Sequence, residues 1–171
     1  YKVAYRPGDW QGSNLTSRHV ERGLSAGNAI DRIFDTTLSV GGPIKRNKVW
    51  FFLTGRYFSV NNYIANTVQD DGSRGLDDQY IKSGLARLTW QVSNNNKLSA
   101  YFDEIDKYRG HDMQANYDPE TAATVWNSPA YHTMAVKWSS PVTSSLFFFV
   151  NDTATTEIYT NEYREGIEKP R

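Results

Sequence analysis

The stretch VWFFLTGRYFS, Val49 to Ser59, alternates instead of advancing in helical steps. Phe51, Leu53, Gly55 and Tyr57 fall on one side of an extended backbone, and Trp50, Phe52, Thr54 and Arg56 on the other. The same period recurs along the chain. Phe34 to Val40 sets Phe34, Thr36, Leu38 and Val40 against Asp35, Thr37 and Ser39. Tyr80 to Gln91 sets Gly84, Ala86, Leu88 and Trp90 against Ser83, Leu85, Arg87 and Thr89. Lys97 to Lys107 alternates Leu98, Ala100 and Phe102 with Ser99, Tyr101 and Asp103. Tyr131 to Ser140 alternates Met134, Val136 and Trp138 with Thr133, Ala135 and Lys137. The chain therefore reads as all-β, with one greasy and one more polar face in strand after strand.

Composition narrows the classes. The 19 basic and 19 acidic residues cancel, so no global field favours nucleic acid or anionic lipid. No run approaches the ~18 consecutive apolar residues of a membrane helix. The absence of cysteine removes disulfides, thiolate chemistry and cysteine metal sites. Aromatic residues make up 14% of a chain whose overall hydropathy is that of a soluble protein, and that pairing needs a cause.

Strand length suggests one. Most alternating runs are about ten residues, whereas strands of globular proteins usually have five or six. A tilted strand crossing a bilayer needs ~9–11 residues, with lipid outside and water or a plug inside, which makes the summed hydropathy look soluble. The competing reading is a soluble antiparallel sandwich, whose strands alternate because one face packs on a core. The connections weigh against it. Short ones fall at Gly42 to Asn47, Ser93 to Asn96 and Pro141 to Ser144; long ones run from Pro7 to Arg32, Val60 to Gln79 and Tyr108 to Ala130. Loops beyond ~12–15 residues are uncommon in compact domains, but outer-membrane barrels carry short periplasmic turns and long extracellular loops.

Aromatic placement agrees. Trp50, Phe51 and Phe52 follow the first short turn, and Trp90 and Trp138 precede the next two, as a periplasmic girdle would. Arg56, Arg87, Asp103 and Lys137 are costly in a dry core and natural in a wet lumen.

Two phrases resemble a known family. LSVGGPIKRNKVWFF, Leu38 to Phe52, is similar to a hairpin of TonB-dependent receptors of the Oar-like, acidobacterial type, and LARLTWQVSNNNKLSAYFDEID, Leu85 to Asp106, resembles the next hairpin. The resemblance implies a many-stranded outer-membrane barrel around an N-terminal plug, importing a scarce or large nutrient with energy relayed by TonB. Its partners would be outer-membrane lipid, the rest of the barrel and plug, TonB through that plug, and an unidentified nutrient. Residues 1–171 contain no TonB box, plug segment or barrel-closing strand, so the expectation is a fragment of six or seven strands of the barrel domain. FFFVNDTATTEIYT, Phe147 to Thr160, loses the alternation and resembles translated sequencing-adapter DNA; the expectation there is an artefact interrupting a seventh strand. Two rivals are a passive porin-type barrel and a soluble carbohydrate-binding β-sandwich stacking sugars on Tyr117, Trp126 and Tyr131.

Sharper chemistry finds little support, and the expectation is no enzyme, no cofactor and no metal. Asp103 and Glu104 fall on opposite faces, so with Asp106 they do not make a glycosidase pair. QDDGSRGLDDQ, Gln69 to Gln79, has carboxylates and glycines without the ordered spacing of a calcium loop, and reads as a solvated loop. His19, His111 and His132 form no i, i+4 pair. Asn14-Leu15-Thr16 and Asn151-Asp152-Thr153 match the glycosylation pattern by coincidence. Ser13 to Leu24 has capping residues and Leu15, Val20 and Leu24 at helical spacing, with Gly27 as a stop, which predicts a short helix on the first long loop.

Overall fold

A computed structural model describes residues 1–141 and 147–156. They form one open antiparallel sheet of seven strands in sequence order: β1 (Lys2–Pro7), β2 (Ala29–Lys45), β3 (Val49–Val68), β4 (Arg74–Ser93), β5 (Asn96–Asp112), β6 (Thr124–Pro141) and β7 (Phe147–Thr156). The all-β, up-and-down meander expected from alternation is what the chain adopts. Its two edges are β1 and β7, and the described residues contain no second sheet.

Register turns five separate alternations into one surface. Val40 pairs with Leu53, Leu53 with Ala86, Ala86 with Phe102 and Phe102 with Met134. Directly opposed residues of an antiparallel pair share a face. The greasy sets of all five stretches therefore coincide on one face, called the apolar face below; Arg56, Arg87, Asp103 and Lys137 share the other.

The strands are longer than the alternation predicts: β2 to β6 run 17 to 20 residues. Most of the added length lies toward the long connections. The connection expected over Val60 to Gln79 shrinks to residues 69–73, and the one over Tyr108 to Ala130 to residues 113–123. The reason is chemical. Segments such as VNNYIANTV and RGLDDQ mix polar and apolar residues on both faces, so they pair as strands without the period-two greasy signal. The six-residue edge strand β1 escaped notice because it is too short to show a period.

Short turns occupy residues 46–48 and 94–95, so Gly42 and Pro43 belong to β2, where the register shifts between Pro43 and Lys45. Of the third short turn, residues 142–144 lie outside the described residues, as do 157–160 of the adapter-like stretch. Its first ten residues form β7, paired with β6 from Pro141↔Phe147 to His132↔Thr156.

Between β1 and β2 stand a 3-10 turn, Gly8–Trp10, and one helix, α1 (Ser17–Glu21), inside the segment where a helix was expected. The stop is Gly23, not Gly27. Gly23 has φ 88, its N–H donates to Val20 O (2.9 Å), and Leu24 N–H donates to His19 O (3.0 Å). That is a Schellman closure, which needs a left-handed residue after the cap.

Burial is lopsided. The buried apolar residues among those described are Ala65, Met113 and Ala135, while Leu38, Val40, Leu53, Leu88, Met134 and Val136 stand exposed. Packing concentrates at the long-connection end, where Pro119 of the 113–123 loop is fully buried. A Cβ on Gly75 would lie 2.9 Å from Pro119 Cγ and collide with the Thr67 hydroxyl, so only glycine lets this loop sit down on the hairpin.

Candidate functional site

The apolar face has two aromatic margins. Toward the short turns, Phe51, Trp90 and Trp138 share it; Trp138 Nε1 donates to Asn96 Oδ1 at 3.1 Å, one polar atom satisfied at the turn beneath a greasy ring. Trp50 and Phe52, expected in the same girdle, fall on the opposite face with Arg56. Toward the long connections runs a margin not anticipated from sequence: Phe34, Tyr57, Tyr80 and Tyr108 form a ladder across β2 to β5, with ring centroids 6.0, 6.2 and 5.2 Å apart. Between the margins lie Leu38, Val40, Leu53, Gly55, Gly84, Ala86, Leu88, Ala100, Phe102, Met134 and Val136. Tyr80 and Trp90 stand ten positions apart. At ~3.3 Å per residue that is ~33 Å along the strand, which projects to ~25 Å at a ~40° tilt. Lys82, Glu104 and Asp106 share this face just inside the Tyr ladder, so the greasy band proper runs on β4 from Gly84 to Trp90, ~20 Å along the strand. Lys82 Nζ rests 4.3 Å from the Tyr80 ring centre and 3.9 Å from Asp106.

The opposite face is charged at the same height. Arg56 grips Asp35 with two bonds, Nε to Oδ1 at 2.9 Å and Nη2 to Oδ2 at 3.2 Å, and Lys2 approaches the same carboxylate at 3.4 Å. Arg87 lies over Tyr101 at 5.8 Å and Lys107 over Tyr131 at 5.0 Å.

Beyond the Tyr ladder both faces mix polar and apolar residues and the side chains interlock. Asp77 is 2% exposed; Arg109 Nε donates to its Oδ1 at 2.9 Å, and Arg109 Nη1 reaches Asp112 at 2.8 Å. The Asp77 carboxylate raises the Arg109 pKa further above its ordinary value. Tyr63 donates its hydroxyl to Asp31 at 2.9 Å, which, with burial, raises the phenol above its usual 10.0. Arg74 lies 4.8 Å over the Tyr63 ring and donates to Gly27 O at 2.6 Å. Asn66, at φ 54, joins three segments: its Oδ1 accepts from Ser25 N (2.9 Å) and Oγ (3.0 Å), and its Nδ2 donates to Gly23 O (2.9 Å) and Asn116 Oδ1 (3.0 Å). The first and third long loops are thus tied to the β3 hairpin through one side chain.

No protein-family model, curated protein or solved structure matches this chain. Its chemistry must be read from placement alone.

The residues singled out by sequence disperse into structural roles. Asp103 and Glu104 do take opposite faces, opposed by Thr133 and His132 respectively. In the 69–79 segment, Asp71 caps the hairpin tip: hydrogen bonding from the Ser73 side chain, and then from Ser73 N at 2.8 Å, holds its pKa below the usual carboxylate value. Asp77 and Asp78 sit on opposite faces of β4, bonded to Arg109 and His111. That segment is mostly strand, not a solvated loop. His19 closes the helix cap, with Nδ1 3.2 Å from Thr16 N; His111 pairs with Asp78; His132 stacks on Phe102 at 5.5 Å. Tyr117 is in the 113–123 loop, whereas Trp126 and Tyr131 lie on β6 opposite Arg109 and Ile105. The sequence reading missed the Tyr ladder and the Asn66 junction. The ladder had a signal, a Tyr or Phe at the end of each greasy run; Asn66 had none, since its partners are 41 to 50 residues away.

Proposed function

We propose that this chain is part of the wall of a bacterial outer-membrane β-barrel, and that the whole protein is a TonB-dependent receptor taking up a scarce or large nutrient. The observation that carries the membrane reading is the pair of aromatic margins ~25 Å apart on one face of an open sheet, with a continuous greasy band from the level of Gly84 to that of Trp90 between them. A contiguous apolar surface of this extent is not left to water by soluble monomers. In a sandwich, a second sheet would cover it. The open edges at β1 and β7 would be paired by neighbouring strands of the same barrel, since unpaired ladders are not tolerated in lipid.

The receptor assignment rests on the two hairpin phrases, Leu38 to Phe52 and Leu85 to Asp106, which resemble that family. In this reading the short turns face the periplasm and the interlocked long-connection end stands outside the cell. The charged face, with Arg56, Arg87, Asp103 and Lys137, lines the lumen against the plug.

Two experiments test it. Chain refolded with phosphatidylcholine vesicles is expected to float with them in a density gradient and to resist a urea wash. A detergent-free soluble monomer would contradict the wall and favour a sugar-binding sandwich. Reading the complete gene in clean long-read DNA is expected to reveal an upstream plug with a TonB box. A barrel without them would make the protein a passive porin.

A further inference from the structure

Just inside the Tyr ladder, the apolar face carries a hollow of about 470 Å³. Gly84 lies in its floor, and the residue directly opposite on β3 is Gly55. Neither backbone is left-handed; a Cβ on Gly84 would meet nothing within 4 Å, and one on Gly55 only the Ser83 carbonyl at 3.9 Å. The packing of this chain therefore does not call for glycine at either position. The β3 to β4 register runs unbroken through the pair, so they mark no bulge and leave the backbone open to a closely approaching ligand. The hollow runs on into a second one of about 480 Å³, which shares Leu53, Ala86 and Phe102 with it and reaches Leu88. From the level of Gly84 to that of Leu88 the trough follows the strand for ~13 Å, close to the ~15 Å hydrocarbon depth of one leaflet.

Charge stands along one rim of the trough, where Lys82, Glu104 and Asp106 line it. Lys82 reaches Asp106 at 3.9 Å, a loose pair. Glu104 is exposed and makes no ion pair or hydrogen bond among the described residues; His132, directly opposite it on β6, turns its ring onto Phe102 instead. On the membrane reading this carboxylate lies on the lipid-facing side, inside the aromatic margin, where an ionised group is costly and is kept for a partner. That partner must bring positive charge and hydrogen-bond donors to Glu104, and negative charge to Lys82.

A charged rim at the end of a greasy trough complements one kind of molecule, a lipid whose headgroup joins a primary ammonium to a phosphate. We infer that such a lipid docks here, with its ammonium between Glu104 and Asp106, its phosphate at Lys82 and one acyl chain lying over Gly84 and Ala86. A choline headgroup carries the same charges but no N–H, so it cannot make the charge-assisted hydrogen bond to Glu104 that gives the site its preference. This inference rests on the proposed membrane placement.

The test uses chain in phosphatidylcholine vesicles containing a minor fraction of spin-labelled phosphatidylethanolamine, and the same with labelled phosphatidylcholine or labelled phosphatidylglycerol. The expected result is a preference for the ethanolamine lipid over the choline lipid of about three- to tenfold, the equivalent of one hydrogen bond, lost in Glu104→Gln. Flotation is scored in parallel. Chain that floats but shows no preference, or a preference that survives in Glu104→Gln, overturns the docking site and leaves the wall intact; chain that does not float overturns the wall. If Glu104→Gln does not insert, Asp106→Asn is read in its place with the same two outcomes. Phosphatidylglycerol held more tightly than phosphatidylethanolamine would mean that Lys82 alone selects, and would overturn the ammonium site. Dipolar broadening between spin labels on Gly84→Cys would assign the trough to a second copy of the chain and overturn the lipid.

Discussion

The two halves of this sheet are built from the same strands and obey different rules. Toward the short turns, side chains alternate strictly, the greasy set is exposed and the chain makes few tertiary ties. Toward the long connections, both faces mix polar and apolar residues, yet this is where Asp77, Thr67, Asn61, Ser59 and Ser128 are buried. A globular protein puts its greasy residues inside and its charges outside. Here the arrangement is inverted at one end and specific at the other. On the proposed membrane reading, one strand serves two solvents: the first half would take its apolar partner from lipid, and the second, in water, supplies its own order through hydrogen bonds and ion pairs.

The largest effect should come from putting one charge in each half. Leu53→Arg, in the middle of the greasy band, is expected to cost ~2–4 kcal/mol of folding stability in vesicles, while Val68→Arg, at the far end of the same strand, costs close to zero. Urea titration of each variant followed by tryptophan fluorescence measures both, and equal costs would erase the distinction between the halves. Next, Asp77→Ala leaves the Arg109 guanidinium with Asp112 alone. Because Asp77 is buried but Arg109 is a third exposed, the loss should be about 2 kcal/mol, below that of a fully buried pair. Protease susceptibility should rise in the 113–123 loop without any change in vesicle insertion.

Asn66 sharpens the contrast further. Asn66→Gly keeps the left-handed backbone and removes the bonds to Gly23, Ser25 and Asn116, for about 1 kcal/mol; Asn66→Ala should add about another 1 kcal/mol of backbone strain. Amide exchange at Ser25 and Asn116 should quicken in both, and in neither should it quicken in β4 near Ala86. The smallest expected effect is a pH dependence confined to the same end. Tyr63 has a raised pKa, so the folded chain holds that proton more tightly than the unfolded one. Its contribution is fully present below pH 10.0 and is lost as pH rises through the elevated folded value. Spectroscopic titration should find one late phenolate that is missing in Tyr63→Phe.

Much of the first half was legible in the sequence and little of the second. Period-two alternation around Leu53, Ala86, Phe102 and Met134 named the strands and their faces, because a strand with one greasy face must repeat its greasy residues at every second position. Asn61, Asn66 and Asp77 carry no such period. Their meaning depends on partners brought from Ser25, Asn116 and Arg109 by the register of three strands, and no local pattern reports that. The long connections were overestimated for the same reason: a strand that mixes polar and apolar residues on both faces looks like a loop. Of the aromatics beside the short turns, Phe51, Trp90 and Trp138 share the apolar face and Trp50 and Phe52 take the other, since nearness to a turn does not choose a face whereas parity along the strand does.

The absence of cysteine allows the central claim to be tested residue by residue. Single cysteines placed in turn at Leu53, Thr54, Ala86, Arg87, Met134 and Ala135, labelled with a bilayer-sensitive fluorophore and exposed to brominated lipid, would read each face directly. Strong quenching at Leu53, Ala86 and Met134 with weak quenching at Thr54, Arg87 and Ala135 is the expected result. Uniform quenching, or none at any of the six, would contradict a sheet with lipid on one side and lumen on the other.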